Sequence, residues 1–167
     1  MSIRPCLPFP NPILKRVSTP VQSVDDQVRA IWADMVDTME AMPGLGLAAP
    51  QISYNLRLAV VDCSIERGQA ILMANPEILH ASAQMRDHEE ASPNLPGVGA
   101  VIARSRAVMV RYLNGQGLIE ERDFVQVWAT SVQHQIDHLN GKLYFDHLSP
   151  LRRKMLLARA QKLESRA

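Results

Sequence analysis

His134-Gln135-Ile136-Asp137-His138-Leu139-Asn140-Gly141 is the stretch on which both fold and chemistry turn. Residues i and i+4 of a helix share a face, so His134 and His138 direct their imidazoles toward one point. Zinc-dependent hydrolases use this spacing as H-E-x-x-H, where the glutamate takes a proton from water. Here that position is Gln135. Its amide has the same shape and forms hydrogen bonds, but it accepts no proton. Asn140-Gly141 is a helix stop signal, so the stretch reads as the end of a helix over residues 125–139.

Working outward, residues 57–62 (RLAVVD) and 70–74 are short apolar runs that predict strands, with a turn at Asn75-Pro76. Residues 100–102 and 107–112 predict two more, and Asn114-Gly115 predicts a hairpin returning through residues 118–122. Val28, Ile31, Trp32, Met35, Val36 and Met39 recur at helical spacing, which predicts a helix over residues 25–42 with Ser23 and Asp25 as candidate caps. A last helix runs from Ser149-Pro150 to about residue 164. Leu151, Met155, Leu156, Ala158 and Leu163 form its expected docking stripe, and Arg152, Arg153, Lys154, Arg159 and Lys162 its basic surround. The proline-rich N-terminus is expected to run extended. Helix, strands, helix, helix is the order of an α+β domain, taken here as one domain over residues 1–167.

The chain has 167 residues, a formal net charge of +1 and 47% hydrophobic residues, values that give no bulk attraction to nucleic acid or membrane. No apolar run is long enough to span a bilayer, and the first residues lack the apolar core of a signal peptide. Two cysteines, Cys6 and Cys63, are read as free thiols of a cytoplasmic protein.

Two further motifs accompany the histidine helix: Gly44-Leu45-Gly46-Leu47-Ala48-Ala49-Pro50-Gln51 and Glu89-Glu90-Ala91-Ser92-Pro93-Asn94-Leu95-Pro96-Gly97. The glycine pair follows a polar helix instead of a strand, so it fails the context of a dinucleotide loop. In this order and spacing the three motifs resemble the peptide deformylase family, which removes the formyl group from nascent bacterial proteins. Asn75-Pro76-Glu77 and Leu148-Ser149-Pro150 extend the resemblance over essentially the whole chain.

The resemblance implies an α+β fold with antiparallel sheets around the central histidine-bearing helix, flanked by N-terminal and C-terminal helices. It implies iron or zinc on His134 and His138, with a third ligand, cysteine in the family, at Ser92. A neutral hydroxyl is a poor ligand beside a thiolate, so at most weak metal binding is expected, with no cofactor at full occupancy. The next family residue donates a backbone N–H to the developing oxyanion. Pro93 has none. Gln51 matches the glutamine that supplies the other donor. The resemblance places a peptide against the backbone of Leu45 and Gly46 as an added strand, with its first side chain toward Val127, Thr130 and Ser131.

Gln135, Ser92 and Pro93 replace base, ligand and oxyanion donor, and they lead to the expectation of a catalytically inactive, deformylase-like protein. Its expected partners are formylated peptides and, through the last helix, the ribosome. The alternative is a working metal-dependent hydrolase with altered ligands or substrate, using the histidines with Glu89 or Glu90. Otherwise Glu90 is expected to support the site from behind, Asp87 and His88 to sit on a solvated loop, Asp137 to orient a histidine or a neighbouring backbone group, and His147 to be an ordinary surface or packing residue. Oligomeric state is not legible.

Overall fold

The protein is described by a computed structural model over residues 2–166. Helix α1 spans Asp26–Ala41, and the Asp25 carboxylate accepts from Val28 N–H at its start. A five-stranded antiparallel sheet follows, built from β1 (Gly46–Ala48), β2 (Leu58–Val61), β3 (Ile71–Ala81), β6 (Ala107–Leu113) and β7 (Ile119–Val125). Its order is β1-β2-β3-β6-β7, so β1 is an edge. A second sheet pairs β4 (Met85–Glu90) with β5 (Ala100–Ser105). Helices α2 (Gln126–Leu139) and α3 (Pro150–Glu164) complete the chain. The α+β architecture agrees with expectation.

Strand β2 explains where α2 sits. All four of its residues are buried. Leu58 and Val60 join the cluster of Ile31, Trp32 and Met35 on α1. Ala59 meets Leu139, and Val61 meets Val132 and Ile136 on the other side. Alternation along one strand thus places α1 and α2 on opposite faces of the sheet. The end of α2 is pinned by Ser18 N–H (2.8 Å) and Arg57 Nη1 (2.9 Å), both donating to Leu139 C=O.

Three local expectations are corrected. Asn75-Pro76 lies inside β3 instead of turning: Asn75 has φ 51° and the register shifts between Ala74 and Glu77. The bulge absorbs the missing N–H of Pro76, and the Asn75 carboxamide bonds the backbone of Val21 in both directions. Asp87 and His88 belong to β4, a strand whose MRDHEE sequence lacks apolar alternation. His147 is, as expected, a surface residue, and it bonds Asp137 at 2.7 Å. Finally, α3 docks through Leu156 and Ala160, while Leu151 (68%) and Met155 (62%) are exposed. Positions 153, 156, 157 and 160 form its buried-facing row at i, i+3, i+4 and i+7; the apolar residues were therefore an imperfect guide to its orientation.

Candidate active site

Strand β7 passes into α2 at Gln126, whose φ is 58°. The helix then packs directly on edge strand β1. A Cβ on Gly46 would lie 2.6 Å from Gln135 Nε2 and 2.7 Å from Ser131 Oγ, so any other residue there would push these side chains from their places. Ser131 Oγ donates to Leu45 C=O at 3.0 Å, and Asp62 N–H reaches the same carbonyl. Since Leu45 bonds inward to β2, alternation turns the Gly46 N–H and C=O outward. Between β1, β4 and α2 opens a groove of about 390 Å³.

His134 and His138 converge at the inner end, with Nε2···Nε2 3.1 Å. His134 Nδ1 lies 2.7 Å from Glu90 Oε1. Arg104 grips the same carboxylate through Nε (2.6 Å) and Nη2 (2.9 Å) and reaches Asp137 through Nη1 (2.8 Å). Burial pushes the Glu90 carboxyl up, but its bonds to His134 and Arg104 outweigh this and hold it below the usual carboxylate range. An ionised Glu90 accepts from His134 Nδ1, which turns the Nε2 of that ring toward His138. His138 is fully buried; burial, then His134 and Arg104, push its pKa well down, so it is neutral.

These two nitrogens fit a divalent metal. The His138 ring is held neutral, and His134 carries the carboxylate support that metal-ligating histidines use. The third position fits less well. Ser92 Oγ is engaged with Asn94 Oδ1 (3.0 Å) and Gln51 Nε2 (3.4 Å). Among the described residues no cluster of three His, Cys, Asp or Glu could hold a metal. Glu90 is consumed by Arg104 and His134, which matches its expected supporting role.

The sequence-derived residues assemble as a group. Leu45, Gly46, Gln51, Ser92, Pro93, Val127, Thr130, Ser131, His134 and Gln135 all line the groove, with His138 behind them at 1% exposure. Gln51 accepts from Ala48 N–H and donates to Asn94 Oδ1 at 2.7 Å. Gln135 is buried and its Oε1 has no partner. Asp137 turns to Arg104 and His147 instead of either helix histidine.

Sequence reasoning missed Arg104, Asn94, Arg86 and His88. Arg104 had a signal: it shares a strand face with buried Ile102, and an arginine there requires a buried acid. Asn94, 1% exposed, ties Leu7 C=O to Gln51 and Ser92 and left no comparable trace. Cys63 also borders the groove, its Sγ lying near Leu45 C=O (3.8 Å) and Val127 C=O (3.7 Å), with burial raising its pKa to about 11.

A family described as polypeptide deformylase matches residues 3–154. A peptide deformylase of Phenylobacterium zucineum is 43% identical over 164 residues, covering 97% of each chain. One from Brucella suis is 38% identical over 167 residues, covering 99% of this chain and 95% of that protein. The crystal structure of peptide deformylase from Ehrlichia chaffeensis superposes with a TM-score of 0.92 at 28% identity over 98% of both chains. Relatives of this similarity and length, all named as the enzyme, overturn the expectation of an inactive protein. Physically, the substitutions at 92, 93 and 135 alter individual contributions to a site whose histidine pair, Glu90–Arg104 support and groove persist.

Proposed function

This chain belongs to the polypeptide deformylase family, and on that premise we propose that it is a metal-dependent hydrolase removing a formyl or related acyl group from peptide N-termini with an altered ligand set. The observation that carries this reading is the convergence of His134 and His138 Nε2 atoms, 3.1 Å apart, at the inner end of a groove edged by β1. His134 and His138 would hold the metal, zinc or iron as the resemblance implies, with Ser92 adding no more than a weak hydroxyl donor. Bound there, a divalent ion would supply Lewis acidity toward the acyl oxygen.

The protein's own groups do the rest. The outward backbone of Gly46, with Leu45 beside it, pairs with an extended peptide. Val127, Thr130 and Ser131 receive the first side chain. Gln51 Nε2 is anchored on Asn94 and keeps its second N–H, engaged by Ser92 at only 3.4 Å, for the acyl oxygen. Pro93 contributes no donor, so charge on that oxygen is met by one N–H fewer, a difference typically worth roughly a hundred- to a thousandfold. Gln135 holds substrate or water by hydrogen bonds and takes no proton, so proton removal limits the rate.

The exposed Arg152, Lys154, Arg159 and Lys162 of α3 support contact with a polyanion such as the ribosome, which added salt weakens. Free Cys6 and Cys63 support a reducing, cytoplasmic setting. Among the described residues no helix is long and apolar enough to cross a membrane. We take the chain to act as one domain over residues 1–167.

The test is metal analysis of protein purified without chelators, together with formate release from formyl-Met-Ala-Ser. Bound metal with slow turnover, raised by Gln135→Glu by about a hundredfold or more, as general-base catalysis typically contributes, is expected. No formate from any formyl peptide, with metal supplied, would end this reading.

A further inference from the structure

Arg86, His88 and Glu90 alternate onto the face of β4 turned to α2. Arg86 Nη1 donates to Thr130 Oγ1 at 3.1 Å, and Glu90 meets His134 at 2.7 Å. Thr130 and His134 are one turn apart on α2, so His88 lies between these two rungs. Its ring lines the groove, and its Nδ1 is buried without a partner.

The two rungs differ in charge. Glu90 and Arg104 close on each other, each side chain 4% exposed. Arg86 has no carboxylate within ion-pair distance among the described residues. The nearest acid in sequence on β4, Asp87, and the groove-lining Glu89 alternate to the strand's other face, where Glu89 Oε1 lies 3.2 Å from the Cβ position of Gly99. The outer rung therefore combines a guanidinium without a carboxylate, standing behind groove-lining Thr130, with an imidazole nitrogen that lacks a partner. Apolar Val127 and Leu45 line the same groove.

A ligand complementary to that arrangement has an aliphatic stem ending in a carboxylate. We infer that the groove selects peptides whose residue next to the acyl group is acidic and of glutamate length, its stem lying on Val127 and Leu45 and its carboxylate meeting Arg86 and His88. This rests on the reading of the groove as an acyl-peptide site. A thioether side chain would instead leave His88 Nδ1 without a partner and the Arg86 guanidinium without a counter-charge, and such groups discriminate strongly against an apolar ligand.

The experiment uses the full chain and three peptides, formyl-Glu-Ala-Ser, formyl-Gln-Ala-Ser and formyl-Met-Ala-Ser. Affinity is measured by calorimetry and formate release in parallel. The glutamate peptide is expected to bind about tenfold or more tighter than the methionine peptide, as a charge-assisted contact predicts, with the glutamine peptide between them. Arg86→Met should remove that preference; Arg86→Gln serves if the first variant melts early. Equal or reversed affinities, a preference that survives loss of the guanidinium, or no binding of any peptide would each overturn the inference. Formate release is a separate readout. Selective binding without release keeps the selectivity and rejects hydrolysis, whereas release with methionine ranked first does the opposite.

Discussion

Behind His134 four charged and polar side chains close into a network, whereas the atoms that face the groove at Gln135 and His88 are left open. On the buried side, Glu90, Arg104, Asp137 and His134 satisfy one another through bonds of 2.6 to 2.9 Å. On the groove side, Gln135 Oε1 and His88 Nδ1 are buried with no partner, as is His138 Nδ1 behind the pair. A fold does not keep unpaired polar atoms for stability, since each costs about 1–3 kcal/mol. The satisfied network holds His134 in place, and Gln135 Oε1 and His88 Nδ1, the two open atoms whose residues line the groove, are positions where a ligand can complete the hydrogen bonding.

The largest break in that contrast is Arg104→Met. It leaves Glu90 buried and uncompensated, so unfolding free energy should fall by about 3–5 kcal/mol, read as a lowered urea midpoint. A loss under about 1 kcal/mol would show the network is not what holds the site. Next is Gly46→Ala. Its methyl meets Gln135 and Ser131 at under 3 Å, and overpacking of this kind costs about 1–3 kcal/mol. Peptide binding should drop further than stability because β1 shifts.

Acid should sharpen the same contrast in protein freed of metal by chelation. The folded state depresses His138 from its ordinary 6.5, so the unfolded chain binds a proton first, and stability falls as pH drops below that value. Glu90, depressed from 4.5, contributes stability above that pH that is lost as pH falls through its folded value. Both act in one direction. A urea midpoint that is flat between pH 7 and pH 4 would contradict this assignment.

The smallest effect is expected on the open side. Gln135→Met removes an unpaired buried oxygen while keeping volume, so stability should stay level or rise by up to about 1 kcal/mol, with weaker peptide binding. A clear destabilisation would mean that Gln135 has a structural partner in solution.

Much of this was legible in the chain. Helical spacing located α1 and α2, and the Asn140-Gly141 signal marked where α2 stops. The three motifs contain eleven of the seventeen residues that line the groove. Strand β4 was not legible because its charged residues serve a two-stranded sheet with one face in solvent, which needs no apolar alternation. Asn75-Pro76 reads locally as a turn, yet long-range pairing of β3 with β6 makes it a bulge. The face on which α3 docks was missed because Leu151 and Met155 are as apolar as Leu156, and only the surface opposite decides which of them is covered.

The sequence by itself determined the helix that pairs the histidines, the family's motif order and the identities of residues 92, 93 and 135. Those depend on local periodicity and on side-chain chemistry. The tertiary structure alone decided that Arg104 consumes Glu90, that Asn94 holds Gln51 and Ser92, and that Arg86 is left without an acid. Pairing of charges and amides depends on which distant strands and loops are brought within about 3 Å, a hydrogen-bond length, and spacing along the chain carries no record of that.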